Sequence, residues 1–140
     1  MRFAIIVAVF ALAAGCQSTT APQARAPEQK HVAKADADGI QRVRVVAGSY
    51  FFKPNHIVVK VNAPVELEAS RESGMVPHNL VIRAPEAGIA VEEDLAAEPR
   101  KIMFTPRRTG RYAIYCSKKP PLGGASHRER GMEGVLEVVS

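Results

Sequence analysis

Short runs of β-branched and aromatic residues, separated by Pro, Gly and Asn, recur from Gln41 to the end of the chain. In the clearest run, residues 65–69, apolar and acidic side chains alternate strictly, which places one face toward a core and both carboxylates in water. Seven strands within about 100 residues is typical of a sandwich. The pattern predicts an all-β fold, a Greek-key β-sandwich of about seven to eight strands. The predicted strands lie at residues 43–47, 57–61, 65–69, 79–83, 101–105, 111–115 and 135–139.

One stretch departs from the strand pattern. Residues 91–98 have a helical composition, but a helix of that length would not change the fold class.

Length and charge limit the function classes. A chain of 140 residues has room for one domain, and 46% hydrophobic residues suffice for a core. A multidomain enzyme is therefore excluded. The net charge of +5 would suit a nucleic-acid partner. The N-terminus, described next, predicts export from the cytoplasm, so no nucleic-acid partner is expected.

The N-terminus resembles an export signal. Twelve apolar residues, 3–14, follow a short basic start, whereas a spanning helix needs roughly 20. Residues 1–15 therefore predict a cleaved signal peptide. The small residues before Cys16 resemble a bacterial lipobox, which implies a lipid on Cys16 and attachment to a membrane. Gln17 after the cysteine favours the outer membrane if the source is Gram-negative, and a soluble periplasmic product is the alternative.

The segment that follows is rich in Ala, Pro and Gln. Residues 16–40 predict a lipidated cysteine and a flexible tether. Residues 41–140 are then the folded domain.

Four side chains in this domain form a soft set of donors. If Cys16 carries lipid, Cys116 has no disulfide partner, and an exported thiol is tolerated when it is buried or binds metal. His127 and Met132 follow Cys116, and His78 begins an upstream apolar run. Two imidazoles, a thiolate and a thioether match a trigonal blue-copper site. Zinc gains little from methionine, and one cysteine holds no iron–sulfur cluster.

Other His and Met residues have simpler interpretations. His56 is expected to be a surface residue or a satisfied core residue. Met103 is expected to pack in the core, whereas Met75 is an alternative axial ligand.

Residues 50–140 resemble the cupredoxin family of small type 1 copper proteins, similar to plastocyanin and azurin. The resemblance rests on the motifs Phe52-x-Pro54-x2-Ile57, Pro77-His78-Asn79, Gly110-x-Tyr112-x3-Cys116 and His127-x4-Met132-x-Gly134. It implies one copper ion per chain, with His78, Cys116 and His127 as equatorial ligands and Met132 as the axial ligand. It also implies that Asn79 fixes Ser117, the residue after the cysteine. Ten residues separate Cys116 from His127, more than in the small carriers.

The resemblance implies a one-electron carrier in the bacterial periplasm that exchanges electrons through an exposed edge of His127. An enzyme is not expected, because Ser117 replaces the histidine that oxidases place after the cysteine. A protein that sequesters or delivers copper is the alternative, although the tail lacks the Met-rich and His-rich stretches typical of that class. A metal-free structural lipoprotein is a second, weaker alternative.

Basic residues flank the proposed ligands, with nine Lys or Arg and one acid over residues 100–130. We expect them to steer an acidic redox protein, such as a c-type cytochrome or a terminal oxidase subunit, to a monomeric carrier. A solvated charge run that only maintains solubility is the alternative. The predicted docking residues are Lys118, Lys119, Leu122, Arg128 and Arg130.

Overall fold

The computed structural model describes residues 25–140 and contains two β-sheets that enclose one hydrophobic core. The predicted signal peptide and Cys16 lie outside the described residues. The strands, in chain order, are β1 (Lys30–Val32), β2 (Gln41–Gly48), β3 (Phe51–Lys53), β4 (His56–Lys60), β5 (Val65–Arg71), β6 (His78–Ala84), β7 (Ile89–Leu95), β8 (Arg100–Phe104), β9 (Gly110–Tyr115) and β10 (Glu133–Val139). The all-β sandwich prediction is confirmed, and residues 25–140 contain ten strands rather than the seven or eight expected.

The connectivity brings distant strands together at one end of the sandwich. Six strands pair in the order β1-β4-β10-β9-β6-β7, and four in the order β3-β2-β5-β8. Because β9 runs antiparallel to both β6 and β10, its last residue, Tyr115, lies beside Glu133 at the start of β10 and beside Val81 in the middle of β6, so the residues after Tyr115 run toward the start of β6. Residues that immediately precede β6 and β10, or follow β9, therefore meet at the same end.

The core follows the predicted alternation, with one exception. Val65, Leu67 and Ala69 are fully buried, as expected of the inner face of β5. Glu66, which was expected in water, is only 8% exposed. Neighbouring strands place cations beside its carboxylate, Arg42 at 3.4 Å and Lys101 at 3.3 Å.

The segment predicted as a flexible tether is partly ordered on the sheet. Strand β1 pairs in parallel with β4, and Ala33 after it is buried. Residues 25–32, which we call the N-terminal arm, are also held by Asn55, whose side chain accepts a hydrogen bond from the Gln29 N–H (2.7 Å) and donates one to the Pro27 carbonyl (3.0 Å). The sequence does not predict β1, because its side chains are exposed and show no apolar alternation. The strand is held by backbone hydrogen bonds, which do not depend on hydrophobic side chains.

Most of the segment with helical composition, residues 91–95 of 91–98, belongs to a strand. In β7, Ile89, Val91 and Leu95 face the core, and the strand pairs along its length with β6. Strand pairing and burial override the helix propensity of the acidic residues between them, which keep this edge strand soluble. Within the described residues, no helix is long and apolar enough to cross a membrane.

Candidate metal centre

Three predicted ligands meet at the end of the sandwich where β6 begins and β9 ends. His78 is the first residue of β6, Cys116 directly follows β9, and His127 lies in the loop between β9 and β10. Cys116 shares the inner face with Ile114 because side chains two residues apart point to the same side of a strand. The local sequence thus aims the thiol into the sandwich.

The three side chains form a compact, buried cluster. Their donor atoms all lie within 4.8 Å of one another. The Cys116 Sγ is 3.4 Å from the His127 Nδ1, and the two imidazole rings are 5.0 Å apart between centroids. His78 is 6% exposed, Cys116 0% and His127 4%. A metal ion held by these three groups would be shielded from bulk water.

Burial keeps both imidazoles in the form that binds metal. Desolvation, the nearby His127 and the positive Arg71 lower the pKa of His78 from 6.5 to about 4. Desolvation and Arg130 lower the pKa of His127 in the same direction. In addition, the buried Nδ1 of His78 has no hydrogen-bond partner among the described residues. A buried nitrogen lone pair without a donor is costly unless it binds an ion.

Met132 lies against the same cluster. It is fully buried, its N–H donates to the His127 carbonyl (2.9 Å), and its carbonyl accepts from the Cys116 N–H (3.2 Å). Met75, the alternative axial donor, is instead fully exposed. Met103 is 52% exposed on β8 and does not pack in the core as expected, because it faces away from the inner side occupied by Ile102.

Asn79 and Ser117 are in direct contact beside the cluster. The Asn79 Oδ1 accepts the Ser117 N–H at 2.8 Å, and its Nδ2 donates to the Ser117 Oγ at 2.8 Å. These bonds join β6 to the residue after Cys116. They fix the distance between the strands that carry His78 and the thiol.

The long loop before His127 is closed by its own hydrogen bonds. The His127 N–H donates to the Lys118 carbonyl at 3.0 Å. The Glu129 carboxylate accepts from the Ser126 N–H (2.6 Å) and hydroxyl (2.7 Å), and these bonds lower its pKa. A tight turn therefore sets the position of His127.

Tyr50 covers His127, a contact that sequence analysis missed. The Tyr50 ring meets the His127 ring edge-on, with the ring centroids 5.2 Å apart. The Arg130 guanidinium lies over the Tyr50 ring, with its central carbon 5.0 Å from the ring centroid. Tyr50 has a φ of 64°, an unusual left-handed conformation for an aromatic residue. His127 is therefore buried and lacks the exposed edge that we expected. Its side chain instead forms part of the lining of a groove.

This groove, which we call the His127 groove, has a volume of about 270 Å³. A second groove of about 70 Å³, the His78 groove, lies next to it. Met75 and Val76 line both grooves. The His127 groove is further lined by Tyr50, Lys119, Pro121 and His127.

The predicted docking residues surround this end but differ in availability. Leu122 is fully exposed, and Lys119 is exposed in the wall of the His127 groove. Lys118 pairs with Asp94 at 2.5 Å. Arg128 stacks over an aromatic ring of β9 at 4.4 Å. Lys119 and Leu122 are thus the residues best placed to meet a partner.

No family profile matches the chain, and no curated protein sequence does. Solved structures do match it. The metal-binding domain of the Cu(I)-exporting P-type ATPase CopA of Streptococcus pneumoniae aligns with a TM-score of 0.61 and 20% identity, over 82% of this chain and 100% of that one. Auracyanin of Roseiflexus castenholzii gives 0.55 and 18%, over 71% and 97%.

The chain has a cupredoxin fold. The periplasmic domain of cytochrome oxidase subunit II (CoxB) of Bradyrhizobium japonicum shares this fold, with a TM-score of 0.54 and 17% identity over 70% of this chain and 83% of that one. The His and Cys cluster lies at one end of this sandwich.

Proposed function

We propose that His78, Cys116 and His127 bind one copper ion, with Met132 as a weak axial ligand, and that the protein is a one-electron carrier. The observation that carries the proposal is the buried cluster of two imidazoles and one thiol, whose donor atoms lie within 4.8 Å of one another. Mixed nitrogen and sulfur donors of this kind favour copper. Bound copper would supply one-electron chemistry between Cu(I) and Cu(II).

The surroundings of the cluster suit a carrier. The hydrogen bonds between Asn79 and Ser117, and those between Ser126 and Glu129 on either side of His127, hold the donors in fixed positions. Fixed donors limit the movement that would accompany a change in charge at the site. Since the three candidate ligands are buried, we propose electron exchange and no enzymatic reaction at this site.

The visible absorption and EPR spectra of the full chain with one equivalent of Cu(II) test this proposal. We expect an intense thiolate-to-copper band that disappears in Cys116→Ser. The matched control is Cys16→Ser, which removes the other cysteine and should retain the band. A pale spectrum, or the same band in Cys116→Ser, would refute a type 1 site.

We further propose that electrons pass at the His127 groove to an acidic redox partner, such as a c-type cytochrome or a terminal oxidase subunit. The exposed Lys119 and Leu122 give this surface a positive and apolar character. The exchange rate with an acidic cytochrome should fall as salt rises. Lys119→Ala should lower it by roughly twofold at low salt, whereas Arg44→Ala, on the outer face of the other sheet, should not. A rate independent of salt would contradict docking by charge.

We propose a location in the bacterial periplasm with a lipid anchor at Cys16, on the outer membrane if the source is Gram-negative. The support is the sequence of residues 1–17. Incorporation of labelled palmitate into the chain, lost in Cys16→Ser, tests the anchor. A cleaved product without lipid would contradict it.

The alternative is copper delivery, which the full exposure of the Met75 thioether beside the site favours. Repeated cycles of reduction and oxidation distinguish the two roles. A carrier retains its copper through the cycles, whereas a delivery protein loses Cu(I) to a competing chelator after reduction.

A further inference from the structure

A buried site of this kind needs a route for its metal. His78, Cys116 and His127 are at most 6% exposed, so a copper ion cannot reach them without passing the surface at this end. The two grooves each open toward one candidate histidine. Met75 is common to both grooves.

The exposure of Met75 is unusual for its chemistry. The side chain is fully exposed, although methionine is normally buried, and it precedes His78 by only three residues. The chain beneath it is held in place, because Arg71 donates a hydrogen bond to the Gly74 carbonyl at 2.6 Å. The thioether is thus presented outward from an anchored loop.

The lining of the His127 groove disfavours divalent ions. Among the described residues it contains no carboxylate, and Lys119 contributes a positive charge that repels a divalent cation more strongly than a monovalent one. The His78 groove differs, because Glu72 is part of its lining. Tyr50 also lines the His127 groove, but its hydroxyl oxygen already accepts a hydrogen bond from Arg130 at 3.3 Å. In the described part of the chain, Met75 is the one sulfur donor in the lining of this groove, and it is fully exposed. Soft thioethers prefer Cu(I).

We propose that Met75 is a transient Cu(I) ligand that captures the ion at the surface and transfers it to the buried cluster. This inference rests on the proposed copper binding. The transfer is a ligand exchange without a change in oxidation state. The Cu(I)–thioether bond breaks as bonds to the buried imidazoles and the Cys116 sulfur form, and the thiol proton passes to water.

Stopped-flow transfer of Cu(I) from its bicinchoninate complex to the full chain tests the inference. Met75→Leu should lower the uptake rate by roughly tenfold, which corresponds to about 1.4 kcal/mol in the barrier. Met103→Leu is the matched control, since it removes another exposed thioether outside the grooves, and should match wild type. Uptake of Cu(II), followed by the thiolate band, should be unchanged in both variants, as should the final spectrum.

The outcomes separate the inference from the proposed function. Equal Cu(I) rates for wild type and Met75→Leu would overturn the role of Met75 and leave copper binding intact. An equal loss in Cu(I) and Cu(II) uptake would overturn the thioether role, because it would indicate a change in loop shape. Failure of wild type to take up copper would overturn both.

Discussion

Removal of the Asn79 side chain should loosen the metal end of the sandwich. Asn79 is 3% exposed, and both of its polar atoms bond to Ser117 at 2.8 Å. A buried hydrogen bond contributes about 1 kcal/mol net, and an unsatisfied partner adds to the cost. We expect Asn79→Ala to lower the free energy of unfolding of the metal-free protein by about 2 to 3 kcal/mol.

Urea denaturation followed by circular dichroism measures this change, and Ser117→Ala provides a graded control. That variant removes only the hydroxyl contact and keeps the bond from the Ser117 N–H, so it should cost about 1 kcal/mol or less. With copper bound, we also expect Asn79→Ala to move the thiolate band further than Ser117→Ala does. Equal stability losses in the two variants would refute the reasoning that both hydrogen bonds hold β6 to the residue after Cys116.

Three further predictions address stability. The folded protein lowers the pKa of His78 from 6.5 to about 4, so between these pH values the unfolded chain binds a proton that the folded chain does not. The free energy of unfolding of the metal-free protein should therefore fall by roughly 2 to 3 kcal/mol as the pH falls through this window. An equally steep pH profile in His78→Gln would contradict this prediction. Asn55→Ala removes two hydrogen bonds to the N-terminal arm and should lower the free energy of unfolding by about 2 kcal/mol. Limited proteolysis should then cleave the arm. An arm as resistant to cleavage as in wild type would show that these bonds do not hold it. Gly134→Ala should lower the free energy of unfolding, measured by urea denaturation, by about 1 to 3 kcal/mol, because the new Cβ would meet the Asn55 carbonyl oxygen. Unchanged stability would show that β10 can move away from the residue before β4 without cost.

The sandwich and the candidate site could be predicted for local reasons. Strand alternation is a property of neighbouring residues, so the pattern around Ile114 and Cys116 already aims the thiol inward. Donor type is equally local, and it singled out His78 and His127. The meeting of these side chains then follows from the antiparallel pairing of β6 and β9.

What the sequence concealed depends on contacts between distant segments. Strand β1 has little apolar character, and its place beside β4 depends on backbone pairing and on Asn55. The burial of His127 was missed because its cover, Tyr50, lies 77 residues earlier in the chain and adopts a left-handed backbone that sequence composition does not reveal. Helix propensity likewise failed for β7, where pairing with β6 decides the conformation.

A lipid anchor at Cys16, as proposed above, would restrict which way the protein faces. The chain enters the described structure at Arg25, which forms an ion pair with Glu133, the residue after Met132. Cys16 lies nine residues before Arg25, a distance that an extended chain spans with at most about 32 Å. A lipid on Cys16 would therefore keep Arg25, and the metal end beside it, within about 32 Å of the membrane surface. Electron partners embedded in that membrane, or lying on its surface, would be favoured over partners that approach from the aqueous side.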